Sequence, residues 1–285
     1  MTKAKKKKRN FIESILKLTR FGNLVIIGLA QYFTAVFLID RKIVYDVRLF
    51  LLSCSTVLIA AAGYIINDYY DVKIDFINKP ERVVIGRSIA RRYAILFHVV
   101  LSSIGILIGT YLSLRIGVLN ILSVFLLWFY SNNLKRLPFI GNVTVAFLTA
   151  LSIYLVEVYY QTGTSLILIY SGFAFFMTLI REIIKDMEDL KGDNTFGCKT
   201  LPIILGLRKT KMVIYFILVI FFMSALSLNH FYAGLPIYYF LICLFIPLLI
   251  LLLRLIRADR MKDFTWLSNF SKIIILLGIL SMAFL

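Results

Sequence analysis

Nine stretches of this chain are apolar for long enough to cross a lipid bilayer, and no other feature limits the fold as much. They run over residues 22–39, 47–66, 93–114, 116–130, 143–160, 164–180, 212–229, 236–253 and 265–285. A helix needs roughly 20 apolar residues to cross a hydrocarbon core of about 30 Å. Inside a bilayer the backbone must satisfy its own hydrogen bonds, so each run is expected to be an α-helix. With 60% hydrophobic and only 16% charged residues, the chain has too little polar surface for a soluble domain. The expected fold is therefore an all-α polytopic membrane protein of nine transmembrane helices. Its organisation reads as a basic segment, residues 1–20, followed by one transmembrane domain, residues 21–285. The fourth run follows the third almost without a break, which demands a tight turn at Leu114-Arg115.

The net charge of +17 is sided. If the amino terminus is cytosolic, 27 basic residues fall in the segments on that side and four, Arg41, Lys42, Arg48 and Arg115, on the other; only Lys272 lies in the interior of a run. This asymmetry predicts a cytosolic amino terminus and a carboxy terminus outside, in a cell membrane. The Lys5-Lys6-Lys7-Lys8-Arg9 cluster precedes an apolar run and no polar domain, so it reads as a topology signal touching anionic lipid, not as a nucleic-acid site. The first run ends in Leu38-Ile39-Asp40-Arg41, with no small-residue cleavage pattern, which argues against a cleaved signal peptide. Cys54, Cys198 and Cys243 lack metal or redox spacing and read as small apolar filler.

Against this background stand two acidic rows, Asn67-Asp68-Tyr69-Tyr70-Asp71-Val72-Lys73-Ile74-Asp75 and Asp186-Met187-Glu188-Asp189-Leu190-Lys191-Gly192-Asp193. Each offers carboxylates at i, i+3 and i+7. On a helix those positions return to within roughly 60° of one another along about 10 Å, giving one acidic stripe each. Nine of the 15 acidic residues lie in or beside the rows: these six aspartates with Glu81, Glu182 and Glu188. Carboxylates gathered at the mouth of a helix bundle repel one another, and a divalent cation relieves that most simply. Oxygen ligands without nearby His or Cys select Mg²⁺ or a similar hard ion.

Basic residues follow each row: Lys73, Lys79, Arg82, Arg87, Arg91 and Arg92 after the first, Arg181, Lys185 and Lys199 around the second. The loop between them supplies Tyr130, Ser131, Asn132, Lys135 and Arg136. Carboxylate, metal and Lys/Arg together make a pocket for a diphosphate, in which Lys135 has the best placement. Both rows fall on the cytosolic side, where the two longest loops lie, so the active site is expected there.

These motifs resemble the two aspartate-rich motifs of the UbiA superfamily of intramembrane prenyltransferases. The likeness extends to Asn78-Lys79-Pro80-Glu81-Arg82 after the first motif and Thr200-Leu201-Pro202 after the second, and covers essentially the whole chain. It implies a UbiA-type helical bundle with a lateral opening to lipid, binding a polyprenyl diphosphate through Mg²⁺. Departure of the diphosphate leaves an allylic cation for an acceptor to attack. Carried onto this sequence, Asn67, Asp68, Asp71 and Asp75 hold one Mg²⁺, and Asp186, Asp189 and Asp193 the other; the six aspartates are the catalytic set. Asn23, Asn67, Arg82, Tyr130, Lys135 and Lys199 are implied to bind substrate. Metal-assisted departure of a diphosphate is electrostatic catalysis and needs no covalent nucleophile. The 24 Phe and 16 Tyr offer apolar walls and π faces for a prenyl tail and its cation.

Within the superfamily the two stretches look most like geranylgeranylglyceryl phosphate geranylgeranyltransferases of membrane lipid biosynthesis. The alternative acceptor is an aromatic ring, dihydroxynaphthoate or hydroxybenzoate, in quinone biosynthesis. An ion or solute transporter is the alternative of another class, although transport sites lie nearer the bilayer midplane on broken helices. The expected partners are thus a polyprenyl diphosphate, an acceptor and membrane lipid; no obligate protein partner is implied. Glu157, His98 and His230 read as structural groups, and Gln31 as either a cavity wall or a helix contact.

Overall fold

The computed structural model describes residues 10–231 and 244–284, within which the chain forms eleven α-helices and no named β-strand. Lys5 to Arg9, Cys243 and the start of the predicted eighth run lie outside the described residues, as does the side chain of His230. Among the described residues, seven helices are long and apolar enough to cross a membrane: α2 (Phe21–Leu38), α3 (Val47–Asn78), α4 (Arg91–Leu112), α5 (Leu114–Asn132), α6 (Ile140–Tyr160), α7 (Ser165–Glu188) and α11 (Met261–Ser281) with the short turn after it. Each corresponds to a predicted run. The predicted seventh run lies within α9 (Leu201–Phe231), which bends at Gly206 where φ is 75°, and the end of the eighth lies in α10 (Ile246–Arg257). Two short helices complete the chain, α1 (Phe11–Leu18) and α8 (Leu190–Thr195).

α7 is the central helix. Met177, Ile180, Ile183 and Ile184 are fully buried against Ile214 of α9, Leu251 and Leu255 of α10, and Phe264, Leu267 and Ile274 of α11. The tight turn expected between the third and fourth runs is a single residue. Ser113 separates α4 from α5, and its hydroxyl accepts the Arg115 N–H at 3.3 Å. The two helices approach closely there, since a Cβ on Gly117 would lie 2.4 Å from Thr110 Oγ1.

Two elements differ from expectation, and both differences shape the site. The predicted second run ends at residue 66, yet α3 continues to Asn78 and carries the whole first acidic row. Tyr69 and Val72 on this extension pack with Leu18, Val84, Ile85, Ile89 and Ala94, an apolar cluster that supports a helix beyond the hydrophobic run. Pro80 ends it, because the residue before a proline avoids the α conformation; Lys79 has φ −144° and ψ 63°. The second row does not stay on one helix. α7 stops at Asp189, and Asp193 sits on the separate helix α8. The Asn78 amide explains the break, donating to Asp189 O at 3.0 Å and accepting the Gly192 N–H at 2.8 Å. The amphipathic helix α1 falls in the segment read from sequence only as basic; it exposes Phe11 and Ile12 and buries Leu18.

Candidate active site

The ends of α3 and α7, the start of α6 and helix α8 converge at one end of the bundle. α3 presents Asp68, Asp71 and Asp75 from one face, as their spacing requires. Arg20, in a left-handed conformation (φ 52°, ψ 52°) that turns the chain from α1 into α2, reaches Asp68 Oδ1 at 2.8 Å and stacks 5.0 Å over the Tyr64 ring. Lys135, from the one-turn helix Leu134–Arg136, forms an ion pair with Asp71. Asn142, at the start of α6, donates to Asp186 Oδ2 at 2.8 Å. Lys79 bridges Glu188 at 3.0 Å and Asp189 at 2.7 Å, joining the end of the first motif to the second.

The two acidic rows therefore face each other. Asp75 lies within electrostatic reach of Asp71, Asp68 and Asp189. Burial pushes the Asp193 carboxyl up to about 7, and the charges of Asp189 and Asp71 push it the same way. So much negative charge on half-buried oxygen donors is the environment that a hard divalent cation relieves, and the donor set fits Mg²⁺. Among the described residues no three His, Cys, Asp or Glu side chains close into a finished cage. Arg20, Lys135 and Lys79 reach in among them instead.

Inward from the rows runs a cavity of about 230 Å³. Its polar end carries Arg20, Asn23, Asn67, Tyr130, Arg181, Glu182, Lys185 and Lys272, and its far end Leu148, Leu151 and Leu155. Asn23 donates to the Tyr64 hydroxyl at 3.3 Å, and Tyr130 stands among the charges of Glu182, Asp186 and Asp71. Tyr64 and Tyr130 are the aromatic side chains of the wall among the described residues. Of the residues singled out from sequence, Arg82 and Lys199 are exposed and do not line it. Lys199 instead ties its loop to the Lys135 turn, its N–H donating to Arg136 O at 2.7 Å.

The profile of the UbiA prenyltransferase family matches residues 28–274. The chain belongs to that family. Among its relatives, the digeranylgeranylglyceryl phosphate synthase of Sulfurisphaera tokodaii is 34% identical over 250 residues, covering 87% of this chain and 89% of the relative. That of Saccharolobus solfataricus is 34% identical over 275 residues, covering 95% of each. The fold is that of a UbiA homologue from Archaeoglobus fulgidus bound to DMAPP and Mg²⁺, with TM-score 0.72, 15% identity and coverage of 95% of this chain and 100% of that one. The protein is thus an integral membrane prenyltransferase, and the transporter reading falls away.

Several residues that line or brace this site escaped the sequence reading. Arg20 entered there only in the count of basic residues, Asn142 went unremarked, and Lys272 was counted as the one basic residue in the interior of a run without being given a part. That last position was the available signal, since a charge within a span rarely lacks a purpose. Of the residues read as structural, Glu157 and His98 are engaged structurally. Glu157 accepts the Gly163 N–H at 2.7 Å and the Thr162 hydroxyl at 2.5 Å, and His98 Nδ1 lies 3.0 Å from Ala62 O. Gln31 is buried and donates to Thr56 Oγ1 at 3.0 Å and Ser152 O at 2.7 Å, so it joins three helices behind the cavity wall.

Proposed function

We propose that this prenyltransferase transfers a geranylgeranyl group from its diphosphate to geranylgeranylglyceryl phosphate, forming the second ether bond of a membrane lipid. The observation that carries this reading is the pair of relatives of that name, matched at 34% identity over 87% and 95% of the chain. The phosphate on such an acceptor also suits a cavity whose polar end carries four basic side chains and one carboxylate.

In this reading Asn67, Asp68, Asp71 and Asp75 hold one Mg²⁺, and Asp186, Asp189 and Asp193 a second. When bound, the metal neutralises the diphosphate and makes it a better leaving group. Lys135 and Arg20 take diphosphate oxygens by charge-assisted hydrogen bonds, and Tyr130 donates a further one. Lys79 and Asn142 hold Asp189 and Asp186 in position. The prenyl tail lies along Ile26, Ile27, Ile59, Leu127 and Leu148, which keep water from its reactive carbon. The C1–O bond to the diphosphate breaks, the acceptor hydroxyl oxygen attacks C1, and the new ether forms as the hydroxyl proton and the diphosphate depart. The Tyr64 and Tyr130 rings offer π faces to positive charge on the allylic carbons.

The sided charge distribution supports placing this site at the cytosolic face, with residues 1–20 as a basic leader to a single transmembrane unit, residues 21–285, whose carboxy terminus lies outside. Incubating purified protein with Mg²⁺, geranylgeranyl diphosphate and a panel of geranylgeranylglyceryl phosphate, dihydroxynaphthoate and hydroxybenzoate tests the reading. Mass spectrometry should find the diether phosphate; a prenylated aromatic as the sole product would replace the lipid acceptor with a quinone precursor.

A further inference from the structure

Lys272 is a charge in the middle of an apolar helix. Two contacts between α11 and α7 fix its depth: Thr265 Oγ1 meets Glu188 Oε1 at 3.2 Å, and the backbone at Gly278 lies against the Phe173 ring. The helices are antiparallel, so Lys272, between those contacts, comes level with Ile180 and Arg181. Five residues separate Arg181 from Asp186, which sets Lys272 roughly 8 Å below the acidic row at 1.5 Å per residue.

At that level the charges do not balance. Glu182 is buried and accepts from Arg181 Nη1 at 2.7 Å and from Lys185 Nζ at 2.9 Å. One carboxylate thus serves two cations, and Lys272 adds a third with no ion pair to any described residue; the charges acting on it most are those of Arg181, Lys185, Arg20 and Arg82. Arg181 Nε is also buried without a hydrogen-bond partner. All four side chains line the cavity. Surplus positive charge and an orphaned guanidinium N–H are costly within a membrane unless an anion completes them.

We propose that Lys272, Arg181 and Lys185 form a second anion subsite, which seats the phosphate of the acceptor while the donor diphosphate lies on the acidic rows. This inference rests on the acceptor reading given above. The spacing suits it: a three-carbon glycerol backbone, a near-attack gap of about 3 Å and the donor's own C–O–P linkage together span roughly 8 Å.

The test is steady-state kinetics of wild type, Lys272→Met and Lys272→Arg with two acceptors, geranylgeranylglyceryl phosphate and phosphate-free geranylgeranylglycerol. Lys272→Met should raise KM for the phosphorylated acceptor about tenfold or more, as loss of a charged hydrogen bond does. It should leave kcat/KM for the phosphate-free acceptor and KM for geranylgeranyl diphosphate within about twofold, and Lys272→Arg should recover most of the loss. Equal losses on both acceptors, or a raised donor KM, would overturn the subsite. A second measurement needs no turnover: glycerol 1-phosphate should raise the melting temperature of detergent-solubilised wild type and not of Lys272→Met, whereas inorganic phosphate, lacking the glycerol, should act more weakly. Equal stabilisation of both proteins by glycerol 1-phosphate would also overturn it. If wild type fails to prenylate the phosphorylated acceptor yet binds glycerol 1-phosphate through Lys272, the acceptor reading fails and the subsite stands.

Discussion

Gly192 packs directly against the side chain of Asn78: a Cβ at this glycine would stand 2.4 Å from Asn78 Nδ2, and its own N–H donates to Asn78 Oδ1 at 2.8 Å. The same amide donates to Asp189 O, so one side chain clamps the residue that separates α7 from α8 and the first turn of α8. The two acidic motifs are thereby joined by neutral hydrogen bonds as well as by the Lys79 ion pairs.

Gly192→Ala should therefore displace the second row. A loss of about 1–3 kcal/mol in stability is expected from the overpacking, with a fall of about a hundredfold in kcat from misplaced carboxylates. Asn78→Ala should lower activity with a smaller stability loss, of about 1–2 kcal/mol. Melting curves and transfer rates on the two variants check this; wild-type turnover in both would show that the clamp is dispensable.

Removing an aspartate from either row should stop the reaction without unfolding the protein. Asp68→Ala or Asp71→Ala, and separately Asp186→Ala or Asp189→Ala, are expected to cut transfer by about a thousandfold or more, the scale of losing a principal electrostatic element. Circular dichroism and membrane insertion should stay normal. Activity surviving in one pair would remove that row from the mechanism.

Lys135 is held at the site by its ion pair with Asp71, on a turn that the Lys199 amide braces. Lys135→Ala should weaken binding of geranylgeranyl diphosphate by about 10- to 100-fold and leave the acceptor affinity alone. Unchanged donor affinity would reduce this lysine to a topology signal.

Mg²⁺ binding to protein stripped of metal by a chelator should strengthen as pH rises through about 7, because the Asp193 carboxyl is held up to about 7 and must lose its proton to ligate. The sign for stability is opposite. Between the ordinary Asp value of about 4 and this raised value, the folded chain holds a proton that the unfolded chain has released, so chelated protein should lose stability across that interval as pH increases. Asp193→Asn should flatten both profiles, measured by calorimetry for Mg²⁺ and by melting curves for stability. A pH-independent Mg²⁺ affinity in wild type would take Asp193 out of the ligand set.

Much of this was legible because membranes simplify sequence. Hydrophobic runs located the start of each described span to within a few residues, although α3 and α7 continue well past their runs, and the spacing of Asp68, Asp71 and Asp75 placed them on one helical face. The extension of α3 to Asn78 was less visible, since it depends on Tyr69 and Val72 meeting Leu18 and Val84 from distant segments. The break at Asp189 was hidden for a related reason: nothing between Asp186 and Asp193 forbids a continuous helix, and only the amide of Asn78, 111 residues away, ends it. Asn142 and Arg20 find their aspartates 44 and 48 residues away, a matching that one-dimensional periodicity does not record. Lys272 was conspicuous by position, but its role depends on a charge balance with α7 that exists only once the helices are packed.

The lone serine between α4 and α5 has a consequence for how the chain is made. With Ser113 as the whole connection, the insertion machinery meets no polar loop that it could hold on the far side before the next apolar segment emerges. The two helices must partition into the bilayer together, as a preformed hairpin whose glycine contacts are already engaged, so a nascent chain halted after Leu112 should slip back where one extended past Asn132 stays embedded.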